Sequence, residues 1–518
     1  MHPITNRDNR LPIQVLVLTV FIVLVLFIWQ GNKGFNLWDE GFLWYGAQRV
    51  MLGEVPIRDF MAYDPGRYYW SAALMSLWGD NGIMALRGSV AIFQTIGLFV
   101  GILLIARTVK KQNVFYLLLS AMTLAIWMFP RHKLFDISLS ILLIGVLTFL
   151  VQNPTSRRYF FVGVCVGLTA IFGRNHGMYA VAGSLGVMLW LSIKRIEGPV
   201  LIKGFSLWAG GVTAGFTPLL LMTILVPGFL AAFLDSIRFL FEVKATNLPL
   251  PIPWPWLVNF NSVPLSDAIR GIFIGMFFIA TVVFGTLSIL WVLWQKFQNK
   301  KVPPALVAAS FLALPYSHYA YSRADVGHLA QGIFPLLVGC LVLLATQPAK
   351  IKWSLALILC TASLWVSLVF HPGWQCHFNK QCVNVDISGS YLQVDPATES
   401  DIRLLRSLSD QYAQDGQNFI ATPFWPGAYA LLERASPMWE IYALFPRSQA
   451  FEQAEIERIK TAKPGFALVI DLPLDGRDDL RFRNTHPLIN QYILDNFEPL
   501  PNSPNPTYQI FKANGSIQ

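Results

Sequence analysis

Residues 11–29 read LPIQVLVLTVFIVLVLFIW, an apolar run of the length that crosses a bilayer as a helix. Ten similar runs follow, whereas only 13% of the 518 residues are charged, against about 25% in soluble proteins. The composition therefore predicts a polytopic α-helical membrane protein and excludes a disordered or coiled-coil chain. The eleven predicted spans are approximately 11–29, 83–106, 113–130, 137–152, 159–173, 177–193, 204–227, 268–294, 303–319, 332–347 and 353–370.

Every second loop between these spans is short and basic, which is typical of cytoplasmic loops. Arg7 and Arg10 precede the first span, and no small-residue cleavage site follows it. We therefore predict an uncleaved anchor in the plasma (inner) membrane, with the N-terminus in the cytoplasm. This topology explains the net charge of +9 without a nucleic-acid partner. The predicted cytoplasmic charges are Arg107, Lys110, Lys111, Arg157, Arg158, Lys194, Arg195, Lys203, Lys296, Lys300, Lys301, Lys350 and Lys352.

Three segments are predicted to lie outside the cytoplasm: residues 31–82, residues 228–267 and the tail 371–518. Charged residues, Asn and Pro return after Phe370, so we divide the chain into a transmembrane domain, 1–370, and a soluble extracytoplasmic domain, 371–518. Predicted strands at 418–424, 466–472 and 508–512 alternate with predicted helices at 398–413, 449–462 and 486–496, which indicates an α/β domain. Cys376 and Cys382 form either a disulfide or two free thiols.

The first outer segment contains an acidic pair, Asp39 and Glu40, at the start of a predicted helix over residues 37–52. Acidic residues at a helix N-terminus are favoured by the helix dipole. The pair is therefore open to two interpretations, helix capping and catalysis. The same segment continues through Asp59 to Arg67.

Three further polar clusters are placed at the same outer boundary by the topology. Arg131, Lys133, Arg174 and Arg323 have plain alternatives as interfacial anchors or polar turns, and Arg323 has Asp325 as a possible partner. Asp136 begins an apolar span, where an ionisable group is usually functional or paired. Carboxylates beside cations at a membrane surface suit an anionic substrate such as a lipid phosphate. The clusters are Arg131, His132, Lys133 and Asp136; Arg174 and His176; and Arg323 and His328.

By the residues described above, the chain resembles the GT-C glycosyltransferases. The resemblance is to the branch that includes the protein mannosyltransferase, aminoarabinose transferase and RgtA/B/C/D-like enzymes. The resemblance covers about 370 residues. It rests on Asp39 and Glu40, then Gly53 to Pro56 and Asp59 with Phe60, on Asp136 at the fourth span, and on an outer domain after the last span.

The resemblance implies transfer of a sugar from a polyprenyl-phosphate donor to an extracytoplasmic acceptor, which is a glycolipid, a polysaccharide or a protein. It implies Asp39 as first choice for the general base and Glu40 as second, with Asp136 orienting the acceptor or a cation and the basic residues binding the phosphate. Arg67 is either a phosphate ligand or a partner of Asp64. We expect no cofactor, because no Asp-x-Asp ligand set is present, although some GT-C enzymes use a divalent metal. The alternatives are a lipid or glycolipid transporter or flippase, and an inactive membrane scaffold.

Overall fold

The computed structural model describes residues 10–109, 113–194, 197–245, 247–377, 382–501 and 503–514. Arg7, Lys110, Lys111 and Arg195, whose charges entered the topology prediction, lie outside these ranges. The helices are α1 (Leu11–Gln30), α2 (Asp39–Met51), α3 (Gly66–Trp78), α4 (Ile83–Thr108), α5 (Val114–Ile126), α6 (Leu134–Gln152), α7 (Ser156–Phe172), α8 (Arg174–Ser192), α9 (Leu201–Leu225), α10 (Phe229–Val243), α11 (Leu265–Phe297), α12 (Pro304–Ser322), α13 (Val326–Gly332), α14 (Phe334–Ala345), α15 (Ala349–Ser367), α16 (Pro372–His377), α17 (Pro396–Tyr412), α18 (Pro426–Leu431), α19 (Gln449–Ala462), α20 (Phe482–Thr485) and α21 (Pro487–Asn496).

The strands are β1 (Val383–Ile387), β2 (Ser390–Val394), β3 (Ile420–Thr422), β4 (Phe466–Ile470), β5 (Phe497–Pro499) and β6 (Tyr508–Ala513). The chain forms two compact units. The first contains Met1–Gly31, Val90–Pro227 and Ala245–Gln375, and the second contains Asn32–Ser89, Gly228–Lys244 and Cys376–Gln518. The second unit thus takes in the first outer segment and α10 together with the tail.

The first unit is built from apolar helices, and one lies at each of the eleven predicted span positions. Within the described ranges, six helices are individually long and apolar enough to cross a membrane. The pair α13 and α14, bent by 53° at its break, would make a seventh. The chain is therefore a multi-pass membrane protein, while the number of eleven spans and the side on which each loop lies stay predictions.

Helices α7 and α9 cross at close range because glycines face each other. A Cβ atom on Gly163 would lie 2.1 Å from the carbonyl oxygen of Trp208, and one on Gly211 would lie 2.1 Å from that of Phe160. Only hydrogen fits at these positions. Small residues four apart allow backbones in a membrane to approach in this way, and van der Waals packing then holds the pair together.

The tail forms the predicted α/β domain. Its four-stranded sheet has the order β3-β4-β6-β5, with β3 and β4 parallel and the other neighbours antiparallel. The predicted strands coincide with β3, β4 and β6, and the predicted helices coincide with α17, α19 and α21. A hairpin of β1 and β2 precedes the sheet. The core behind the sheet contains Ile420, Val469, Ile489, Ile493 and Phe511.

The first outer segment folds together with the tail inside the second unit. Helix α2 packs on α18 so closely that a Cβ on Gly41 would lie 2.4 Å from the Cα of Gly427. The amide of Gly427 donates to the carbonyl of Leu37 over 2.9 Å, and that of Met61 donates to the carbonyl of Trp439 over 2.8 Å. These backbone hydrogen bonds fix the position of α2.

The second outer segment, predicted only as a loop, contains the helix α10. Phe239 of α10 lies beneath the guanidinium of Arg447, whose Cζ is 3.5 Å from the ring centroid. This cation–π contact attaches α10 to the C-terminal domain within the second unit. This domain, residues 371–518, is called the outer domain below.

Cys376 and Cys382 form a disulfide, with their Cα atoms 5.4 Å apart. This selects the bonded alternative that the spacing left open. The other cysteines, Cys165, Cys340 and Cys360, are free thiols.

Candidate functional site

Asp39 is the first residue of α2, yet its carboxylate is not the group that caps the helix. The Oδ1 of Asn36 accepts hydrogen bonds from the amides of Trp38, over 2.9 Å, and Asp39, over 2.8 Å. An Asn side chain is among the best acceptors for these terminal amides. The half-buried Asp39 carboxylate instead accepts a hydrogen bond from the hydroxyl of Tyr442, with 3.1 Å between Oη and Oδ1.

Aromatic rings surround this hydrogen bond. Tyr442 contacts Phe42 at a centroid distance of 5.6 Å and Phe424 at 5.9 Å. Trp38 stacks on the other side of the cluster against Phe424, at 5.3 Å. Apolar walls lower the local dielectric constant, which strengthens a hydrogen bond to a carboxylate.

Glu40 forms a buried ion pair with Arg87 at the start of α4. The Nε and Nη2 of Arg87 donate to the two carboxylate oxygens of Glu40 over 2.8 Å each, and Nη2 also donates to the carbonyl of Gly34 over 2.7 Å. Both side chains are only 4% exposed. A bidentate, buried pair of this kind fixes backbone segments to each other. Glu40 therefore has a structural contact with Arg87. The sequence analysis, which made Glu40 the second choice for the general base, did not predict this contact.

Asp59 organises the turn between α2 and α3. Its Oδ2 accepts from the amide of Val55 over 2.8 Å, and Arg58 donates to both of its oxygens over 2.7 Å. Partial burial would raise the pKa of Asp59, but the hydrogen bonds from Arg58 and Val55 hold it below its usual value. These contacts give Asp59 a structural role in the turn.

Arg67 lies at the start of α3 and is 4% exposed. Its guanidinium lies over the ring of Tyr63, with Cζ 5.0 Å from the centroid. The amide of Tyr63 donates in turn to the hydroxyl of Tyr68 over 3.0 Å. Arg67 therefore contacts an aromatic ring within the second unit. Neither role considered from the sequence, phosphate ligand or partner of Asp64, includes this contact.

In the first unit, the structure brings together Asp136 and His176. The Oδ1 of Asp136 and the Nε2 of His176 are 3.0 Å apart, which is an ion-pair distance without the angle of a hydrogen bond. The Nδ1 of His176 lies 2.9 Å from the hydroxyl of Tyr316. Three buried polar side chains therefore connect α6, α8 and α12.

The basic cluster before α6 forms one short 3₁₀ turn, Arg131–Lys133. The Nη1 of Arg131 donates to the carbonyl of Gln30 over 2.8 Å, so this side chain closes the C-terminal end of α1. His132 and Lys133 are half-buried in the same turn. Arg174 is the first residue of α8, two positions before His176.

Arg323 and His328 both contact Asp325. The sequence analysis had named Asp325 as the alternative partner of Arg323. The Nε of Arg323 lies 3.0 Å from Oδ2 of Asp325, and the Nη1 of Arg323 donates to the carbonyl of Leu248 over 3.1 Å. Oδ1 of Asp325 accepts from the backbone amide of His328 over 2.8 Å and caps α13. Burial would raise the pKa of Asp325, but the contacts with His328 and Arg323 lower it.

Among the residues that the structure describes, no group of three or more His, Cys, Asp or Glu side chains could hold a metal ion. Metal independence stays a prediction, since it concerns the reaction. One residue near Asp39 was missed from the sequence. Tyr442 lies 403 positions from Asp39, and no local pattern marks it.

No protein-family model matches the sequence, and no curated protein does. Solved structures do match. ArnT from Cupriavidus metallidurans bound to undecaprenyl phosphate has a TM-score of 0.57 and 13% identity, over 97% of this chain and 98% of that chain. The same protein in the apo state has a TM-score of 0.55 and 12% identity, with the same coverage. The resemblance inferred from the sequence is confirmed at the level of the fold. The chain has the fold of ArnT.

Proposed function

We propose that the chain is a membrane glycosyltransferase that moves a sugar from a polyprenyl-phosphate donor to an acceptor outside the cytoplasm. The observation that carries the proposal is the position of Asp39. Its carboxylate lies at the start of α2, where Asn36 binds the terminal amides and a tyrosine hydroxyl holds one carboxylate oxygen. The fold likeness to ArnT bound to undecaprenyl phosphate supports the choice of donor.

The proposed reaction is one displacement. The acceptor's hydroxyl oxygen forms a bond to the anomeric carbon while the bond from that carbon to the donor's phosphate oxygen breaks. Asp39 takes the hydroxyl proton, and the polyprenyl phosphate leaves with the bonding electron pair. A positioned base contributes about 10²–10⁴-fold to such a step. A single displacement inverts the configuration at the anomeric carbon.

The leaving phosphate requires positive charge, since its negative charge grows in the transition state. Arg174 is our first choice, because it begins the 19-residue helix α8, whose N-terminal dipole adds partial positive charge. Arg131 and Lys133 are second choices. Arg323 is a further candidate, and its Nε lies 3.0 Å from Oδ2 of Asp325. The proposal uses no metal ion, so transfer should persist when a chelator is present.

The test begins in cells, because neither sugar nor acceptor is identified. A deletion strain would be complemented with the parent chain, with Asp39→Asn or with Asp80→Asn. Asp80 is a matched control in the same outer segment; it is exposed, and its carboxylate accepts a hydrogen bond from the amide of Gly82 over 2.7 Å. Mass spectrometry of glycolipids, polysaccharide and glycoproteins would then identify the product. We expect the parent and Asp80→Asn to restore it and Asp39→Asn to fail.

The purified variants then separate chemistry from binding. With the identified donor, Asp39→Asn should lower kcat by about 10²–10⁴-fold and leave donor affinity unchanged. Normal transfer by Asp39→Asn would remove this residue as the base. Glycans that are identical with and without the gene, together with a changed distribution of donor lipid between leaflets, would favour transport instead.

A further inference from the structure

The outer domain supplies a side chain that contacts the proposed base. Tyr442 belongs to the segment between α18 and α19, and its hydroxyl donates to Oδ1 of Asp39. We propose that Tyr442 is a positioning residue, which orients the Asp39 carboxylate and favours its ionised form. The inference rests on the proposed function, and it deepens it by giving the C-terminal domain a part in the reaction.

The backbone on both sides of Tyr442 is fixed. The amide of Ala443 donates to the carbonyl of Pro423 over 2.9 Å, and both Met438 and Ala443 are buried in the core of the outer domain. On the other side, Nε1 of Trp439 donates to the carbonyl of Ile57 over 2.9 Å. The tyrosine is thus presented from a segment that is attached both to the domain core and to the first outer segment.

A buried polar network holds the residue two positions earlier. Glu440 is 4% exposed, and its carboxylate contacts Arg447 at 2.6 Å and Nε2 of His486 at 2.8 Å. Its amide donates to Glu455 over 3.1 Å. Each of these groups belongs to the outer domain, so the network fixes the direction in which the segment presents Tyr442.

The chemistry of the contact suits a base. A hydroxyl that donates to a carboxylate stabilises the ionised form, and only that form can accept a proton. The hydrogen bond also restricts rotation of the carboxylate, which keeps the accepting oxygen in place for the acceptor hydroxyl. The ring contacts with Phe42 and Phe424 hold the donor itself in place.

The test is Tyr442→Phe, which removes one oxygen and keeps the ring packing. Tyr391→Phe is the matched control, because Tyr391 is in the same domain and is 77% exposed. A hydrogen bond to a charged group corresponds to about a tenfold effect or more. We expect Tyr442→Phe to lower kcat about tenfold with KM unchanged, and to move the acid limb of the pH–rate profile up by about one unit. The control should match the parent.

Two measurements exclude a merely structural role and a failure of the proposed function. In the Asp39→Asn background, Tyr442→Phe should have no further effect on transfer, because the group it acts through is gone. Independently of turnover, a hydrophobic carbodiimide would label protonated Asp39, and mass spectrometry would follow labelling against pH. The midpoint should rise by about one unit in Tyr442→Phe. An unchanged midpoint would overturn the inference even if no transferase activity were found, whereas a shifted midpoint without transfer would count against the proposed function alone.

Discussion

Asp136 on α6 and His176 on α8 form a buried pair, with 3.0 Å between Oδ1 and Nε2 and neither side chain more than 3% exposed. The second ring nitrogen of His176 contacts the hydroxyl of Tyr316 on α12. Sequence analysis selected Asp136 to orient the acceptor or a cation, or to be paired, and His176 to bind substrate. In the structure they connect helices, which makes a contribution to stability testable.

The first prediction concerns this pair. We expect His176→Leu to destabilise the protein by about 3–5 kcal/mol, since it leaves the Asp136 carboxylate buried without the imidazole. Asp136→Asn alone should destabilise the protein. In the His176→Leu background the same change should recover stability, because burying a neutral amide is less unfavourable than burying a carboxylate without the imidazole. Thermal unfolding in detergent measures this. Losses that simply add would show that the two residues do not stabilise each other.

The second prediction separates Glu40 from Asp39. Glu40→Gln should lower the melting temperature and the yield of folded protein, because the Arg87 guanidinium loses its buried carboxylate, at about 3–5 kcal/mol. Transfer per folded molecule should stay close to the parent value. Asp39→Asn should show the opposite, with a normal melting temperature, since Asn36 still caps α2. A stable but inactive Glu40→Gln protein would instead make Glu40 the base.

The third prediction concerns the crossing of α7 and α9. In Gly211→Ala the new methyl group would meet the carbonyl oxygen of Phe160 at 2.1 Å, so the helices must separate and stability must fall. Gly210→Ala is the matched control on the preceding residue, where a Cβ has no neighbour within 4 Å. Comparing the melting temperatures of the two variants tests the packing. Equal values would contradict it.

The fourth prediction is a pH dependence of stability in the outer domain. Burial raises the pKa of Asp401 to about 6, against a hydrogen bond from Tyr508 that lowers it. The folded domain therefore holds this proton more tightly than the unfolded chain does. Its contribution is fully present below about pH 4, near the ordinary pKa of an Asp, and is lost as the pH rises through 6. Asp401→Asn should therefore raise the melting temperature at pH 7.5 and change it little at pH 4. A difference that is constant with pH would be inconsistent with this titration.

The fifth prediction is topological. The alternation of basic loops places Lys301 in the cytoplasm and Asn384 outside, so reporters fused after these residues should report opposite sides. The Cys376–Cys382 disulfide fits an oxidising compartment for the tail. Reporters on the same side would disprove the alternation and, with it, the outward orientation of the site.

The helices were predictable because their signal is local. An apolar run of about 20 residues has few alternatives to a membrane helix. The tail helices α17 and α19 coincide with the predicted ranges 398–413 and 449–462, and in the structure Asp395 and Ser448 cap them. The β1–β2 hairpin was missed although β1 alternates apolar and polar residues and a two-residue turn containing Gly389 separates the strands, which is the pattern of a hairpin. The predicted span 332–347 coincides with α14, and the short helix α13 before it was not predicted.

The contacts of the candidate residues were less predictable, because their partners are distant in sequence. Asp39 was selected as the base through the resemblance to GT-C enzymes, yet its partner Tyr442 is 403 positions away. Glu40 was the second choice for the base, and its partner Arg87 lies 47 positions later in the sequence. Arg323, His328 and Asp59 have partners within reach of local reasoning, Asp325 for the first two and Arg58 for the third.

The packing of α2 on α18 imposes an order on biosynthesis. Gln48 of α2 donates to the carbonyl of Ala430 across 382 positions of chain, so the first outer segment leaves the ribosome long before its packing partner exists. At about 5–20 residues per second, the nascent segment waits roughly 20–80 seconds with its apolar face uncovered. During that interval Asp39 has no Tyr442 to contact. The contact of the proposed base therefore forms only after residue 442 has been synthesised, so under the proposed function a shorter nascent chain has Asp39 without its positioning residue.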